Sequence, residues 1–126
     1  MTRTNQNDGG VGKRLRVKMR KYLEGSVKEA LHAVLRAKHF PERCPSDALA
    51  NAQTQLRLAQ DALASLRRGR YGLVLAFMLH RWKHFARLAI MLSLRGQTPE
   101  SRTCERKARE GERLYYWYCD ERTVRA

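Results

Sequence analysis

The chain has 126 residues, enough for one hydrophobic core and too few to expect a second. Apolar residues make up 43% and charged residues 30%, which is a globular balance and excludes a wholly disordered chain. The formal net charge is +14, from 26 Lys and Arg against 12 Asp and Glu, and 19 of those cations are arginine. This much like charge predicts a polyanionic or acidic partner, although an arginine-rich genome would account for part of it.

The N-terminal segment predicts a flexible basic tail, because residues 1–12 are polar and glycine-rich, and a helical domain is expected over residues 13–126. The stretch KRLRVKMRKYL, which begins at Lys13, has six cations and no acid. Its apolar residues recur at helical spacing and predict a basic amphipathic helix: Leu15, Met19, Tyr22 and Leu23. Its cations are candidate contacts to nucleic-acid phosphates: Lys13, Arg14, Arg16, Lys18, Arg20 and Lys21. A solvated helix face is the alternative interpretation.

The sequence alone leaves the end of this basic helix open. Ser26 and Glu29 have the spacing of a capping box, which would start a second helix after Gly25. The apolar stripe nevertheless continues past this point, so a single kinked helix to about Lys38 fits as well. Two prolines in HFPERCPSD then end the helical stretch.

Ser46 is the expected N-cap of the next helix, which should run to about Arg68. Its inner residues alternate at spacings of three and four, as in a heptad seam: Leu49, Ala52, Leu56, Ala59, Leu63 and Leu66. The seam is short, so it predicts an antiparallel hairpin within the domain and not an extended coiled coil. The basic link RRGR that follows adds three candidate phosphate contacts: Arg67, Arg68 and Arg70.

The third predicted helix, Tyr71 to Leu94, is apolar except at its centre, HRWKHFAR. There the polar residues fall on one stripe, with Arg81 at its margin: His80, Lys83, His84 and Arg87. A membrane span is not expected, because each mid-helix cation costs roughly 2.5–3.5 kcal/mol on insertion scales. Other helices should instead cover the apolar ends, and Lys83 and Arg87 are further candidate phosphate contacts.

The last helix should begin with Thr98 as its N-cap, after Gly96 ends the previous helix, with Pro99 at the first helical position. It is expected to end near Tyr118, with an inner face of small and aromatic residues: Cys104, Ala108, Gly111, Tyr115 and Tyr118. The cluster YYWYC at its end should leave one or two rings exposed. Three rings are candidates for base stacking or for anchoring a partner: Tyr115, Tyr116 and Trp117. Capping the end of the bundle is the alternative role.

No pattern predicts catalysis or a cofactor, because GGVGKR lacks the Walker spacing and no serine lies in a nucleophile elbow. The histidine pair of HRWKH predicts no metal site, since the catalytic Glu of a zincin is absent and Lys83 would repel a dication. Three cysteines without a CxxC pair, and no signal-peptide pattern, predict a reducing intracellular compartment, the cytoplasm or an organelle matrix.

Together these patterns predict an all-α, single-domain bundle of four to five helices that is not an enzyme. We expect it to bind the phosphate backbone of RNA or DNA, alone or as a ribonucleoprotein or assembly subunit, since no helix-turn-helix pattern for base readout is evident. The alternative is an interaction module that grips an acidic protein surface through its aromatic end and its alanine seam. A third hypothesis is association of the Leu15–Leu23 helix with an anionic membrane.

Overall fold

The computed structural model describes residues 11–125, and the side chains of residues 11–122. This part of the chain forms four α-helices and one turn of 3-10 helix, Pro41–Arg43, and contains no strand. The helices are α1 Lys13–His39, α2 Ala48–Arg67, α3 Gly72–Leu94 and α4 Thr98–Arg125. The predicted all-α fold is thereby confirmed. Of the predicted tail, residues 1–10 lie outside the described residues, whereas Val11 is buried in the core.

Helix α1 is one continuous helix, which decides between the two alternatives that the sequence left open. Ser26 is buried in its interior, and its hydroxyl donates to the carbonyl of Tyr22, one turn earlier, at 2.9 Å. The capping-box interpretation is therefore wrong, because the Ser26 hydroxyl is hydrogen-bonded to the preceding turn of the same helix and does not cap a new one. Gly25 does not break the helix, because one glycine in a helix interior costs only about 0.5–1 kcal/mol relative to alanine, which burial of the apolar stripe on either side outweighs.

Helices α1 and α2 form the predicted antiparallel hairpin. The inner face of α2 is dominated by alanine, with Ala52, Ala59 and Ala62 buried, so the two helices approach closely. Ser46 is not the N-cap, because the chain is still turning there: the Ala48 amide donates to the Pro45 carbonyl at 3.0 Å. The helix begins one residue later, after Asp47.

Helices α3 and α4 form a second hairpin. Gly96 ends α3 with φ of 79°, and the Gln97 amide donates to the Leu92 carbonyl at 2.9 Å, which is the Schellman pattern. Thr98 is already the first residue of α4, so its predicted capping role is off by one position. The predicted end near Tyr118 is also wrong, since no glycine or proline follows it and the helix continues to Arg125.

The two hairpins share one core at one end and separate toward the other. The larger apolar cluster takes residues from all four helices, among them Leu15, Leu66, Met78 and Leu114. A smaller cluster lies within the α3–α4 hairpin alone: Phe85, Ala89, Cys104 and Ala108. The hairpin ends that carry Phe40 and Leu94 therefore have no apolar cluster in common among the described residues.

The prediction that other helices cover both apolar ends of α3 holds for the inner side only, where Val74, Met78 and Ala89 are buried. Leu73 is 56% exposed, Ile90 62% and Leu94 83%. These side chains lie on the outer side of α3, because its inner side is filled by contacts to α4 and to the shared core. The outer side of α3 therefore exposes apolar residues at both of its ends, and exposed apolar patches often mark interaction surfaces.

We expect Leu23→Ala to lower the free energy of unfolding by about 2–5 kcal/mol, because Leu23 is fully buried in the shared core and its loss leaves a cavity. Leu94→Ala is the matched control, since that leucine is already in water, and it should change the free energy by less than about 0.5 kcal/mol. Urea unfolding followed by circular dichroism measures both. Equal effects would show that the core is placed wrongly.

Candidate functional site

Five of the six cations of the KRLRVKMRKYL stretch project into solvent, and the sixth, Arg16, lies at the edge of the core. Leu15, Met19 and Leu23 take the inner side of α1 and are fully buried. Arg16 is half-buried, and the other five cations are exposed: Lys13, Arg14, Lys18, Arg20 and Lys21. The first turns of α1 thus present a dense cationic surface with no acid before Glu24.

A groove of about 630 Å³ runs between α1 and α2 along one side of this surface, and we call it the α1–α2 groove. Its lining contains four cations: Lys13, Arg16, Arg20 and Arg67. Two apolar residues and the single acid Glu24 complete the lining. Arg20 and Glu24 approach to 3.9 Å, an exposed pair that neutralises little of the positive charge.

Arg16 connects the basic helix to the RRGR link. Its guanidinium donates to the hydroxyl of Tyr71 at 2.9 Å and to the carbonyl of Arg67 at 3.4 Å. The structure therefore brings together two groups of candidate residues that are about fifty positions apart in sequence, residues 13–21 and 67–70. Arg68 and Arg70 are exposed in the turn that follows α2.

A second groove, of about 580 Å³, lies between α1 and α4 and is called the α1–α4 groove. Its lining also contains four cations: Lys18, Arg106, Arg109 and Arg113. Leu114, Trp117 and the single acid Glu110 complete it. The three arginines were missed in the sequence because acids alternate with them. With Arg102 they recur at spacings of four, three and four, a pattern that places them on one side of a helix.

Lys83 and Arg87 line neither groove. Both are exposed on α3, which carries its polar stripe outward as the helical spacing predicted. The structure thus separates these two candidate residues from the cations of α1.

The three candidate rings have different surroundings. Tyr115 and Tyr116 pack around Trp82 of α3, with ring centroids 6.1 and 5.7 Å away, and Tyr116 is the more exposed. Trp117 packs against the shared core and borders the α1–α4 groove, and its indole N–H donates to Glu121 at 2.7 Å. The other carboxylate oxygen of Glu121 accepts from the Gly12 amide at 2.6 Å, which ties the start of α1 to α4.

Arg81 has a role that its sequence position did not suggest. It was placed at the margin of a polar stripe, but its side chain is only 14% exposed. It donates to Glu29 of α1 at 2.9 Å and to the Tyr22 hydroxyl at 3.3 Å, and it lies over the Phe85 ring at 4.7 Å. Lys107 of α4 donates to the second oxygen of Glu29 at 2.5 Å. We call Glu29, Arg81 and Lys107 the Glu29 network, and it connects three helices.

Two groups in this region have shifted pKa values. Partial burial would raise the pKa of Glu29, but the hydrogen bond from Lys107 and the charge of Arg81 outweigh it, so the pKa is lowered. Burial raises the pKa of Tyr22, and the neighbouring Arg81 opposes that effect. Glu29 is therefore ionised and Tyr22 neutral over the physiological range, as their hydrogen bonds require.

A cavity of about 440 Å³ adjoins the Glu29 network, between α1, α2 and α3. His80 and His84 line it with their rings nearly parallel, 6.4 Å apart. Partial removal from water lowers the pKa of His84, and the charges of His80, Arg81 and Arg87 lower it further. Within residues 11–122, no three side chains of His, Cys, Asp or Glu are grouped closely enough to hold a metal ion.

In the part of the chain that the structure describes, none of the helices combines the length and apolar character needed to cross a bilayer. Comparison with protein-family models, with curated proteins and with solved structures finds no match to this chain. Function is therefore inferred from the charge and geometry of the surfaces described above.

We expect Glu29→Gln to destabilise the fold by about 1–2 kcal/mol at pH 7, because two cations lose their shared counter-charge. The figure is below that for a fully buried pair because the Glu29 side chain is 39% exposed. The pKa of Glu29 is lower in the folded chain than in the unfolded chain, so its carboxylate stabilises the fold at pH values above the ordinary carboxyl pKa. The difference between the variant and wild type should therefore vanish as the pH falls through the lowered pKa of Glu29.

Glu105→Gln is the matched control, since Glu105 pairs with Arg109 on the exposed side of α4 at 3.3 Å. Its effect should stay below about 0.5 kcal/mol and change little with pH. Urea unfolding from about pH 3 to about pH 8 measures both variants. This range extends on both sides of the ordinary carboxyl pKa. A pH-independent loss in Glu29→Gln would contradict the electrostatic role of Glu29.

Proposed function

We propose that this protein binds the phosphate backbone of RNA or DNA through the outward side of α1 and the two grooves beside it. We call this the phosphate face. In this proposal the protein is not an enzyme, and it acts alone or as a subunit of a ribonucleoprotein or other assembly. We also propose that it lies in the reducing intracellular compartment that three cysteines without a CxxC pair predict.

The observation that carries the proposal is the imbalance of charge around the first turns of α1. Each groove is lined by four cations and one acid. Arg14 and Lys21 are exposed on the part of α1 between the grooves. A surface with this ratio attracts a polyanion over distances of about 10 Å at moderate salt, and cations that neutralise phosphates release the counterions condensed on nucleic acid.

The local geometry favours phosphate as the ligand. Two hydrogen bonds to Tyr71 and to the Arg67 carbonyl fix the position of Arg16, so little side-chain freedom is lost when the groove is occupied. Arginine supplies most of the groove cations, and its planar fork matches two phosphate oxygens at once. These features support backbone contact, which is independent of sequence, in preference to base readout.

Trp117 supports an additional contact to unpaired bases at the α1–α4 groove. Its N–H is already taken by Glu121, so only the face of its ring is available, and stacking does not distinguish strongly between bases. Because Trp117 also packs against the core, its replacement would disturb the fold as well as the groove.

The membrane hypothesis is less well supported by the packing of α1. Leu15, Met19 and Leu23 would have to enter the bilayer, but they are fully buried in the shared core. Their insertion would require the bundle to open, at a cost similar to that of unfolding.

We expect the triple variant Lys13→Gln, Lys18→Gln, Lys21→Gln to bind duplex DNA with a shallower salt dependence. Log affinity falls with log salt by about 0.9 per phosphate neutralised, so removing three contacts should reduce the slope by up to about 2.7. Arg16 is left unchanged because its bonds to Tyr71 and Arg67 support the fold. Fluorescence anisotropy over a range of salt concentrations measures the slope.

The matched control is Arg36→Gln, Lys38→Gln, Arg57→Gln, which removes the same charge from exposed positions outside both grooves. Its slope should equal that of wild type. If both triple variants lose the same slope, net charge alone drives binding and the phosphate face is not a site. If the wild-type affinity does not depend on salt, the proposed function is wrong.

A further inference from the structure

Helix α3 presents outward a second surface that the phosphate face does not use. Seven exposed residues follow one another at spacings of three and four, the pattern of a heptad seam, and we call them the outer seam. They are Leu73, Ala76, His80, Lys83, Arg87, Ile90 and Leu94, of which His80 also borders the cavity between α1, α2 and α3. The seam spans almost the whole of α3, about 32 Å at 1.5 Å per residue.

The outer seam is apolar at both ends and cationic in the middle. Leu73 lies at one end and Ile90 and Leu94 at the other, each more than half exposed. Lys83 and Arg87 lie between them, and neither makes an ion pair with any described residue. Helix α3 contains no Asp or Glu, so this positive charge has no counter-charge on its own helix.

Apolar side chains at the inner positions of a heptad pattern are the usual contacts of one helix with another. Such positions are seldom left in water, because large exposed apolar patches mark interaction surfaces. The spacing of the outer seam therefore favours another helix as its partner.

The charge at the centre of the seam determines which helix fits. A second copy of α3 laid along the first, in register, would bring Lys83 against Lys83 in either direction, with Arg87 against Arg87 in the parallel arrangement and against His80 in the antiparallel one. That arrangement repels, so the seam disfavours a homodimer. Nucleic acid does not fit either, because its phosphates would leave Leu73, Ile90 and Leu94 against a charged backbone.

We propose that the outer seam docks an amphipathic helix of another protein, with carboxylates at its central inner positions and apolar residues at both ends. The carboxylates meet Lys83 and Arg87, and the apolar ends cover Leu73, Ile90 and Leu94. Because the seam is nearly symmetric about Lys83, it accepts the helix in either direction. This docking site is independent of the phosphate face, whose grooves contain no residue of the outer seam.

A pair of synthetic helical peptides tests the proposal. Both carry leucine at the inner positions of their ends; one has glutamate at its three central inner positions and the other has lysine there. The glutamate peptide should bind the full chain saturably, and the lysine peptide should bind about tenfold or more weakly, since attraction becomes repulsion. Fluorescence anisotropy with labelled peptides measures both affinities.

Two sets of variants locate the binding on α3. The double variant Lys83→Glu, Arg87→Glu should reverse the preference and bind the lysine peptide more tightly. The double variant Ile90→Ser, Leu94→Ser should weaken the glutamate peptide about tenfold or more, because it removes apolar area that docking would bury. Both sets change exposed residues, so the melting temperature should stay close to that of wild type.

The phosphate-face variant Lys13→Gln, Lys18→Gln, Lys21→Gln is the control and should bind both peptides as wild type does. The proposal is overturned if the peptides bind equally, or if Lys83→Glu, Arg87→Glu leaves their order unchanged. It is also overturned if the protein alone sediments as a dimer that Ile90→Ser, Leu94→Ser dissociates, since the occupant would then be a second copy. A loss of salt slope for DNA in Lys83→Glu, Arg87→Glu would assign the seam to nucleic acid instead.

Discussion

Glu29 connects the two hairpins at the level where their shared apolar core ends. Its carboxylate accepts hydrogen bonds from Arg81 on α3 and Lys107 on α4, so one negative charge from α1 holds a cation from each helix of the other hairpin. Toward Phe40 and Leu94 the hairpins no longer share an apolar cluster within the described residues. In a chain of net charge +14, like charges on separate elements repel. The ion pairs of Glu29 oppose that repulsion where apolar contact does not.

A close approach of α4 to both α1 and α3 places Lys107 beside Glu29. At Gly111, one turn after Lys107, a Cβ atom would lie 3.0 Å from the Tyr22 hydroxyl and 3.3 Å from the Met78 carbonyl. Only glycine fits there without a shift of the neighbouring atoms. The same approach brings the arginines of α4 alongside Lys18 and so forms the α1–α4 groove. The packing that holds the bundle together therefore also builds part of the phosphate face.

The spacing of residues within one helix predicted which side of that helix is buried. It did not predict the contacts between helices. The inner side of α1, the alanine seam of α2 and the outward stripe of α3 follow from spacing alone. The partners of Arg81 lie 52 and 59 positions away, so no local pattern reveals them. The arginines of α4 share one side of the helix by spacing, but alternating acids hid them in the sequence, and only the packing of α4 against α1 makes them part of a basic groove. The exposed ends of α3 were mispredicted because an apolar helix was assumed to need covering within its own chain.

The phosphate face and the outer seam lie on helices that are diagonal in the bundle, since α1 and α3 each pack beside both α2 and α4. The two surfaces share no residue, so the two proposed occupants would not compete for the same side chains. Both occupants would neutralise part of the same positive charge, and each would reduce the repulsion that the folded chain experiences. The excess of cations destabilises the fold of the protein alone. Binding of two anionic partners, as proposed here, would offset that destabilisation.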